Sequence, residues 1–208
     1  CGLLSVAMLV LHGAAWLGLK AERGPVAARA RTFGTVAGLL GIALFIAGGL
    51  FVAYGDLGFR IVGAVDPSGM SNPLRTAVVA APGAWLDNYS LYPWMIAAPV
   101  MGLIGIVAAL IGLWFRSEPL TFGGSGVSVI GIISTVGLSM FPFILPSTID
   151  PSSSLTVWNS SSTHLTLFIM LGVTLVFLPL ILIYTSWVYK VLWGRSTIAD
   201  FKTNPDLY

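Results

Sequence analysis

The sequence predicts an all-α polytopic membrane protein, a single transmembrane helical bundle over residues 1–208 with five spans. The first observation is composition: of 208 residues 56% are hydrophobic and 9% are charged, and the mean hydropathy is +0.91. Soluble domains contain roughly 25% charged residues. The second observation is that five separate apolar runs each approach the roughly 20 residues that a helix needs to cross a bilayer. A water-soluble globule is therefore excluded.

The five predicted spans are separated by polar or proline-containing connections. They cover residues 1–19, 35–54, 94–115, 127–145 and 165–192. The second span could also begin as early as Ala27. Gly34 and Gly38 give it a small-xxx-small pair, a pattern that favours close helix packing in lipid. The fourth span ends in a segment with Pro142 and Pro146, which lack the amide that a continuing helix requires.

The basic residues predict the orientation of the spans. Eight of the ten Lys and Arg residues fall on one side of the predicted bundle: Lys20, Arg23, Arg29, Arg31, Arg116, Lys190, Arg195 and Lys202. The other two, Arg60 and Arg75, lie in a connection on the opposite side. Cytoplasmic loops of membrane proteins are enriched in Lys and Arg. We therefore expect a cytoplasmic C-terminal tail over residues 193–208 and an external residue 1.

The longer external connection is predicted over residues 55–93. It contains a helix start, because Asn72 can cap and Pro73 can occupy the first helical position, where its missing amide is not needed. We expect a short helix over residues 73–81. An aromatic cluster beginning at Trp85 follows, at the interface level that such rings prefer. We interpret this connection as a lid on the outer surface of the bundle.

A second external connection is predicted over residues 146–163. It is rich in Ser, Thr and Pro, and it contains Trp158. The serines are interpreted as solvating the loop, since neither histidine has a sequence partner that suggests a catalytic triad. We expect Trp158 to anchor the chain at the membrane interface.

Residue types that bind metals or carry out chemistry are scarce. The chain has two histidines and one cysteine, and no Asp or Glu lies within a predicted span. At 1.5 Å per residue, His12 lies roughly 12 Å from the basic end of the first span, whereas His164 stands at the opposite mouth of the fifth. The two cannot ligate one iron together. We therefore predict no catalytic residue, no metal site and no haem bound directly by this chain.

His12 is nevertheless an ionisable residue well inside a predicted span. Such residues often mark a functional site that faces the bundle interior or a hydrated cavity. The alternative is a neutral imidazole hydrogen-bonded to a neighbouring helix. Nucleic acid is excluded as a partner, because a net charge of +2 leaves no extended basic surface for a phosphate backbone.

The first residue, Cys1, lies within an apolar run and is not a methionine. We expect this sequence to be a piece of a longer protein. A mature lipoprotein, which also begins at cysteine, is the alternative. A lipid anchor would be redundant on a chain that spans the membrane several times.

Several motifs occur in an order that is more specific than any one of them. They are HGAAWL at residues 12–17, SNPL at 71–74, GAWL at 83–86, MFPF at 140–143, PS at 146–147, SLTVWN at 154–159 and LTL at 165–167. In this order and spacing the chain resembles subunit II of the cytochrome bd-type quinol oxidases, over the C-terminal half of that subunit or slightly more. The resemblance covers essentially all 208 residues.

The resemblance implies a function and a set of partners. The chain would be a non-haem subunit that supports assembly, haem-site integrity and substrate or proton access in a quinol:oxygen oxidoreductase of the bacterial cytoplasmic (inner) membrane. Subunit I would carry haems b and d, oxidise quinol and reduce oxygen to water. Membrane lipids, a structural quinone or lipid, and small single-span accessory subunits are further expected partners. A stand-alone polytopic transporter or channel component is the alternative function.

The resemblance also indicates residues that belong to the family pattern or to an interface. They are Asn72, Pro73, Gly83, Trp85, Phe141, Pro142, Pro146, Ser147, Trp158 and Trp187. Candidates for contact with a cofactor are His12, Trp85 and Trp158. For each tryptophan, anchoring at the membrane interface is the competing interpretation.

Overall fold

Five long helices dominate the computed structural model, which describes residues 1–63, 65 and 69–191. Their bounds are α1 Gly2–Lys20, α2 Pro25–Tyr54, α4 Ala97–Phe115, α5 Glu118–Met140 and α7 His164–Val191. All five are long and apolar enough to cross a membrane. Two short helices, α3 (Asp87–Leu91) and α6 (Val157–Ser160), lie in the connections. The predicted tail over residues 193–208 lies outside the described residues.

Four of the long helices form a closed bundle. In it α1 packs against α2 and α5, and α4 packs against α2 and α5, so each helix has two neighbours. The buried side chains that meet at its centre are Met8, Leu11, Ala37, Ile106, Ala109, Leu113 and Ile132. The interior is therefore built from medium-sized and small apolar side chains.

The closest contact in the bundle joins α4 to α5 through small residues. A Cβ atom added to Gly124 would lie 2.6 Å from the backbone nitrogen of Ala109, and one added to Gly112 would lie 2.6 Å from that of Thr121. Real Cβ atoms do not approach backbone this closely, so the two helices touch through their main chains. Such close contact strengthens the van der Waals attraction between the helices. This attraction matters in lipid, where the hydrophobic effect does not drive helices together.

Gly34 and Gly38 of α2 also face neighbouring helices, as their spacing predicted. A Cβ on Gly34 would lie 2.8 Å from the Cβ of Ala14, and one on Gly38 would lie 2.6 Å from a methyl group of Leu110. The α4–α5 contact has the same spacing of small residues, with Gly105 and Ala109 on α4 and Gly124 and Ser128 on α5.

Two predicted span boundaries need correction. The helix α2 begins at Pro25, before the predicted span 35–54 and close to its alternative start at Ala27. Proline in the first turn starts a helix well, and the basic first turns extend beyond the apolar run. The helix α5 covers Glu118–Met140 and not 127–145. Its first turns are polar or small yet helical, since Pro119 in the first turn and Glu118 at the positive end of the helix dipole favour a start there.

The predicted short helix over residues 73–81 is wrong. Asn72 does cap, since its side chain accepts a hydrogen bond from the amide of Leu74, but one 3₁₀ turn, Pro73–Arg75, follows. The chain then forms strand β2, Ala77–Ala80, which pairs antiparallel with β1, Phe59–Val62. Adjacent β-branched residues at 78 and 79 favour an extended backbone, and a partner strand supplies the hydrogen bonds.

The second connection builds a similar unit at the same end of the bundle. Strand β3, Phe143–Leu145, pairs antiparallel with β4, Leu155–Thr156. The hydroxyl of Ser71 donates to the carbonyl of Ser161 over 2.6 Å, which ties this connection to the first. We call the two connections together the cap; it comprises the described parts of residues 55–96 and 141–163.

The remaining long helix, α7, does not join the four-helix bundle. None of its 28 residues is buried within the described chain. One ring contact ties it to the bundle near its C-terminal end, where Tyr189 meets Trp16 edge-on at 5.7 Å between centroids. The described part of the chain thus consists of a packed four-helix bundle, a cap at one end and a fifth helix at the side.

Candidate functional site

His12 lies on the face of α1 that meets α5. Its Nδ1 atom is 2.9 Å from the Oγ atom of Ser125, a residue 113 positions away in the chain. The imidazole also packs against the ring of Phe122 at 5.0 Å between centroids. His12 is half-buried and Ser125 is buried. The arrangement agrees with the interpretation of His12 as an imidazole hydrogen-bonded to a neighbouring helix.

The hydrogen bonds around Ser125 constrain the ring of His12. The Ser125 hydroxyl lies 2.9 Å from the carbonyl oxygen of Phe122, to which it can donate its single proton. Both contacts are satisfied when Nδ1 of His12 carries a proton and donates it to Ser125. These contacts hold the His12 ring against α5.

The metal-ligating residue types do not cluster anywhere in the described chain. Among residues 1–63, 65 and 69–191, no three His, Cys, Asp or Glu side chains come together. His164 begins α7, at the end of that helix opposite to its aromatic contact with Trp16.

Two of the residues singled out in the sequence, Asn72 and Trp158, line the same cavity in the cap. They line a cavity of about 150 Å³ between the β1–β2 hairpin and α6, together with Asn159 and Thr76. The Asn159 amide donates to the Thr76 hydroxyl and to the Ser154 carbonyl, both at 3.2 Å. The cavity therefore has a polar wall with a hydrogen-bonded amide and an aromatic wall from Trp158.

Trp85 lies elsewhere in the cap, within an aromatic cluster. Its ring meets Phe59 of β1 at 5.7 Å and Phe143 of β3 at 5.4 Å, both edge-on. Edge-to-face pairs at this separation add roughly 0.5–1.5 kcal/mol each beyond the burial of area. Trp85 thus joins the two hairpins of the cap, a contact that its position in the sequence did not indicate.

The other motif residues mostly shape the backbone of the cap. Gly83 has φ +75°, a left-handed conformation that favours glycine, and its amide donates to the Leu57 carbonyl over 2.9 Å. The Pro142 carbonyl accepts from the amide of Val157, and the amide of Ser147 donates to the Ser154 hydroxyl.

Four motif residues make few side-chain contacts among the described residues. Phe141 meets Trp158 edge-on at 6.5 Å and remains 40% exposed. Pro73 is exposed and Pro146 is half-buried. Trp187 of α7 is 60% exposed and lies 6.4 Å from Tyr184 of the same helix. Their exposed surfaces are free to face lipid or another chain.

Sequence reasoning missed the residue that ties the cap to the bundle, Asn88. Its side chain is 9% exposed, and its amide donates to the carbonyls of Leu138, Ser139 and Phe141 at the C-terminus of α5. The neighbouring Tyr89 places its hydroxyl 2.7 Å from the Ser139 hydroxyl. The last carbonyls of a helix have no partner within the helix, so Asn88 satisfies groups that would otherwise be unpaired. An asparagine inside an aromatic-rich segment was the available signal.

Comparison with known proteins shows which family this chain belongs to. A family model described as "Cytochrome bd terminal oxidase subunit II" matches residues 1–192. The chain belongs to the cytochrome bd terminal oxidase subunit II family. With five helices able to span a membrane, it is a multi-pass membrane protein.

Curated relatives support the assignment along nearly the whole chain. The chain is 34% identical over 203 residues to "Cytochrome bd-I ubiquinol oxidase subunit 2" of Escherichia coli, covering 98% of this chain and 53% of that protein. It is 34% identical over 198 residues to "Probable cytochrome oxidase subunit 2" of Haemophilus influenzae, covering 94% and 51%. The chain thus spans about half the length of these relatives. The resemblance noted in the sequence motifs is confirmed, and the transporter alternative loses its basis.

Proposed function

We propose that this chain acts within subunit II of a cytochrome bd-type quinol:oxygen oxidase. In this proposal subunit I binds haems b and d, oxidises two quinols per oxygen molecule and passes four electrons to oxygen, which forms two waters. The chain contributes assembly, haem-site integrity and access for substrate or protons. A structural quinone or lipid and small single-span accessory subunits complete the complex.

The exposed helix α7 is the observation that carries this proposal. A span with no buried residue in the described chain lacks the packing that fixes helices in a bundle. Such a helix is typical of a subunit whose packing partner lies outside the described residues. Because the chain belongs to the cytochrome bd subunit II family, we look for that partner in a cytochrome bd-type oxidase complex.

A purified complex tests the proposal most directly. We expect a tag on the full-length subunit to retain a second, larger chain and to give b-type and d-type haem bands in a reduced-minus-oxidised spectrum. A colourless preparation of one chain, obtained even after crosslinking in the membrane, would contradict the proposal.

The variant His12→Ala in the same complex tests whether this chain ligates a haem. We expect both haem bands to remain at wild-type intensity, because His12 is held by Ser125 and Phe122. The loss of one hydrogen bond should cost about 1 kcal/mol of stability. Loss of one haem band with the subunits still associated would assign ligation to His12, and Ser125→Ala serves as a control that removes the bond but keeps the ring.

For the orientation we propose that the cap is external and the opposite end cytoplasmic. Support comes from the basic residues: the turns at residues 21–24 and 116–117 lie at the end opposite the cap, and we call this the basic end. Cysteine at Ser153, exposed in the cap, should react with a membrane-impermeant maleimide in intact cells, whereas cysteine at Ala28 should react only after permeabilisation. Native cysteines, including Cys1, are first replaced by serine, and the reverse labelling pattern would invert the topology.

A further inference from the structure

A cavity of about 40 Å³ opens at the basic end, where α1, α2, α4 and α5 meet. Its floor is built from small or apolar residues: Ala14, Ala15, Gly18, Gly112 and Leu113. Because one buried water needs roughly 10–15 Å³, the space suits about three oxygen-sized atoms. It is open to the outside and not a sealed packing defect, since Arg23 and Arg116 on its rim are exposed.

Three arginines from three segments of the chain line this cavity. Arg23 comes from the α1–α2 turn, Arg31 from α2 and Arg116 from the α4–α5 turn, and the lining contains one carboxylate, that of Glu118. Among the described residues, no ion pair of these three arginines is found. The described lining residues therefore carry an excess of two positive charges around a polar opening.

The backbone at Arg116 adds an independent observation. Arg116 has φ +57°, the single non-glycine residue with positive φ in the described chain. It occupies the position after α4 that usually holds glycine, and the amide of Ser117 closes the turn on the Gly112 carbonyl over 2.9 Å. An arginine there costs roughly 1 kcal/mol relative to glycine. Strained residues of this kind concentrate at functional sites.

We propose that this cavity binds the phosphate group of an anionic phospholipid, the class represented by phosphatidylglycerol. A guanidinium donates paired hydrogen bonds to phosphate oxygens, and basic pockets between spans near a membrane surface take anionic headgroups. A lipid is favoured over free phosphate because Trp114 and Phe115, which precede Arg116, are 85% and 75% exposed and can line the path of the acyl chains.

The test is lipid binding to the full-length subunit in its purified, delipidated complex, measured by native mass spectrometry. We expect dioleoyl phosphatidylglycerol to bind at least tenfold more tightly than dioleoyl phosphatidylcholine. Arg31→Gln and Arg116→Gly should each weaken phosphatidylglycerol binding about fivefold. Arg116→Gly also relieves the left-handed backbone, so its weakened binding would not be caused by misfolding. The readout does not depend on oxidase activity, and failure here leaves the proposed function standing.

The matched control is Arg29→Gln, which removes the same charge from the same helix but lies outside the cavity lining and is exposed. It should leave binding unchanged. Equal weakening by Arg29→Gln would indicate general surface attraction and overturn the site. A second arm adds inorganic phosphate at millimolar concentration. If phosphate binds at these arginines while the two lipids bind equally, the lipid assignment is wrong.

Discussion

The substitution Gly124→Ala should destabilise the subunit strongly, although it adds one methyl group. That methyl carbon would lie 2.6 Å from the backbone nitrogen of Ala109 and 3.0 Å from the carbonyl carbon of Ala108. Since the obstacle is main chain and not the tip of a flexible side chain, α4 and α5 must move apart along their contact. We expect the free energy of unfolding to fall by about 2–3 kcal/mol, the upper part of the usual range for overpacking a tight interior.

The adjacent glycine supplies the control for this prediction. Gly123 is exposed, and a Cβ added there meets nothing within 4 Å. Gly123→Ala should leave stability unchanged or raise it by up to about 1 kcal/mol, because alanine is the better helix former. Thermal unfolding in detergent, followed by size-exclusion chromatography of the purified complex, compares the two. Equal melting temperatures for both variants would show that α4 and α5 are not in main-chain contact.

The substitution Asn88→Asp should detach the cap from the bundle with almost no change in side-chain shape. The amide of Asn88 donates to three carbonyls at the end of α5, those of Leu138, Ser139 and Phe141. An ionised aspartate cannot donate and would direct its negative charge at these oxygens. Leaving the carbonyls unpaired beside a largely buried charge should cost about 3 kcal/mol at neutral pH. Acidification should restore part of the loss, because a protonated carboxyl regains one donor.

Asp87→Asn makes the opposite chemical change one residue away and serves as the control. It removes the ion pair between Asp87 and Arg60, whose side chains are 43% and 60% exposed. Solvent screens such a pair, so the loss should not exceed about 1 kcal/mol. Limited proteolysis of the cap at neutral and acidic pH measures both variants. If Asn88→Asp is no more susceptible than Asp87→Asn, the capping contact does not hold the cap in place.

The sequence by itself determined the features that depend on local composition. The five apolar runs correspond to five helices. A single segment that crosses lipid must pair its own backbone N–H and C=O groups, and the α-helix is the structure that does so. The capping of the 3₁₀ turn by the Asn72 side chain could be predicted for the same reason, because this side chain acts on the adjacent backbone. The prolines that follow α5 likewise act on their own backbone and end that helix. The uneven distribution of Lys and Arg was likewise visible without coordinates.

Helix boundaries within the polar part of a span were less readable. The first turns of α5, which contain Ser125, were assigned to a connection because glycine, serine and threonine lower hydropathy. These residues are helical here because their small size lets α5 lie against α4, a benefit that exists only once the neighbour is present. Strand β2 shows the same effect: the Asn72-Pro73 start predicted a helix, and pairing with β1 decided otherwise.

Only the tertiary structure decided which polar groups meet. His12 and Ser125 are 113 positions apart, and Asn88 lies 50 or more positions from the α5 carbonyls that it caps. The three arginines that line the cavity at the basic end come from two turns and one helix. Hydropathy and helix capping depend on residues that are close in the sequence. These contacts depend instead on how whole helices pack against one another. The sequence therefore determined that the chain spans a membrane, and the packing of α1, α2, α4 and α5 determined where its polar side chains can act.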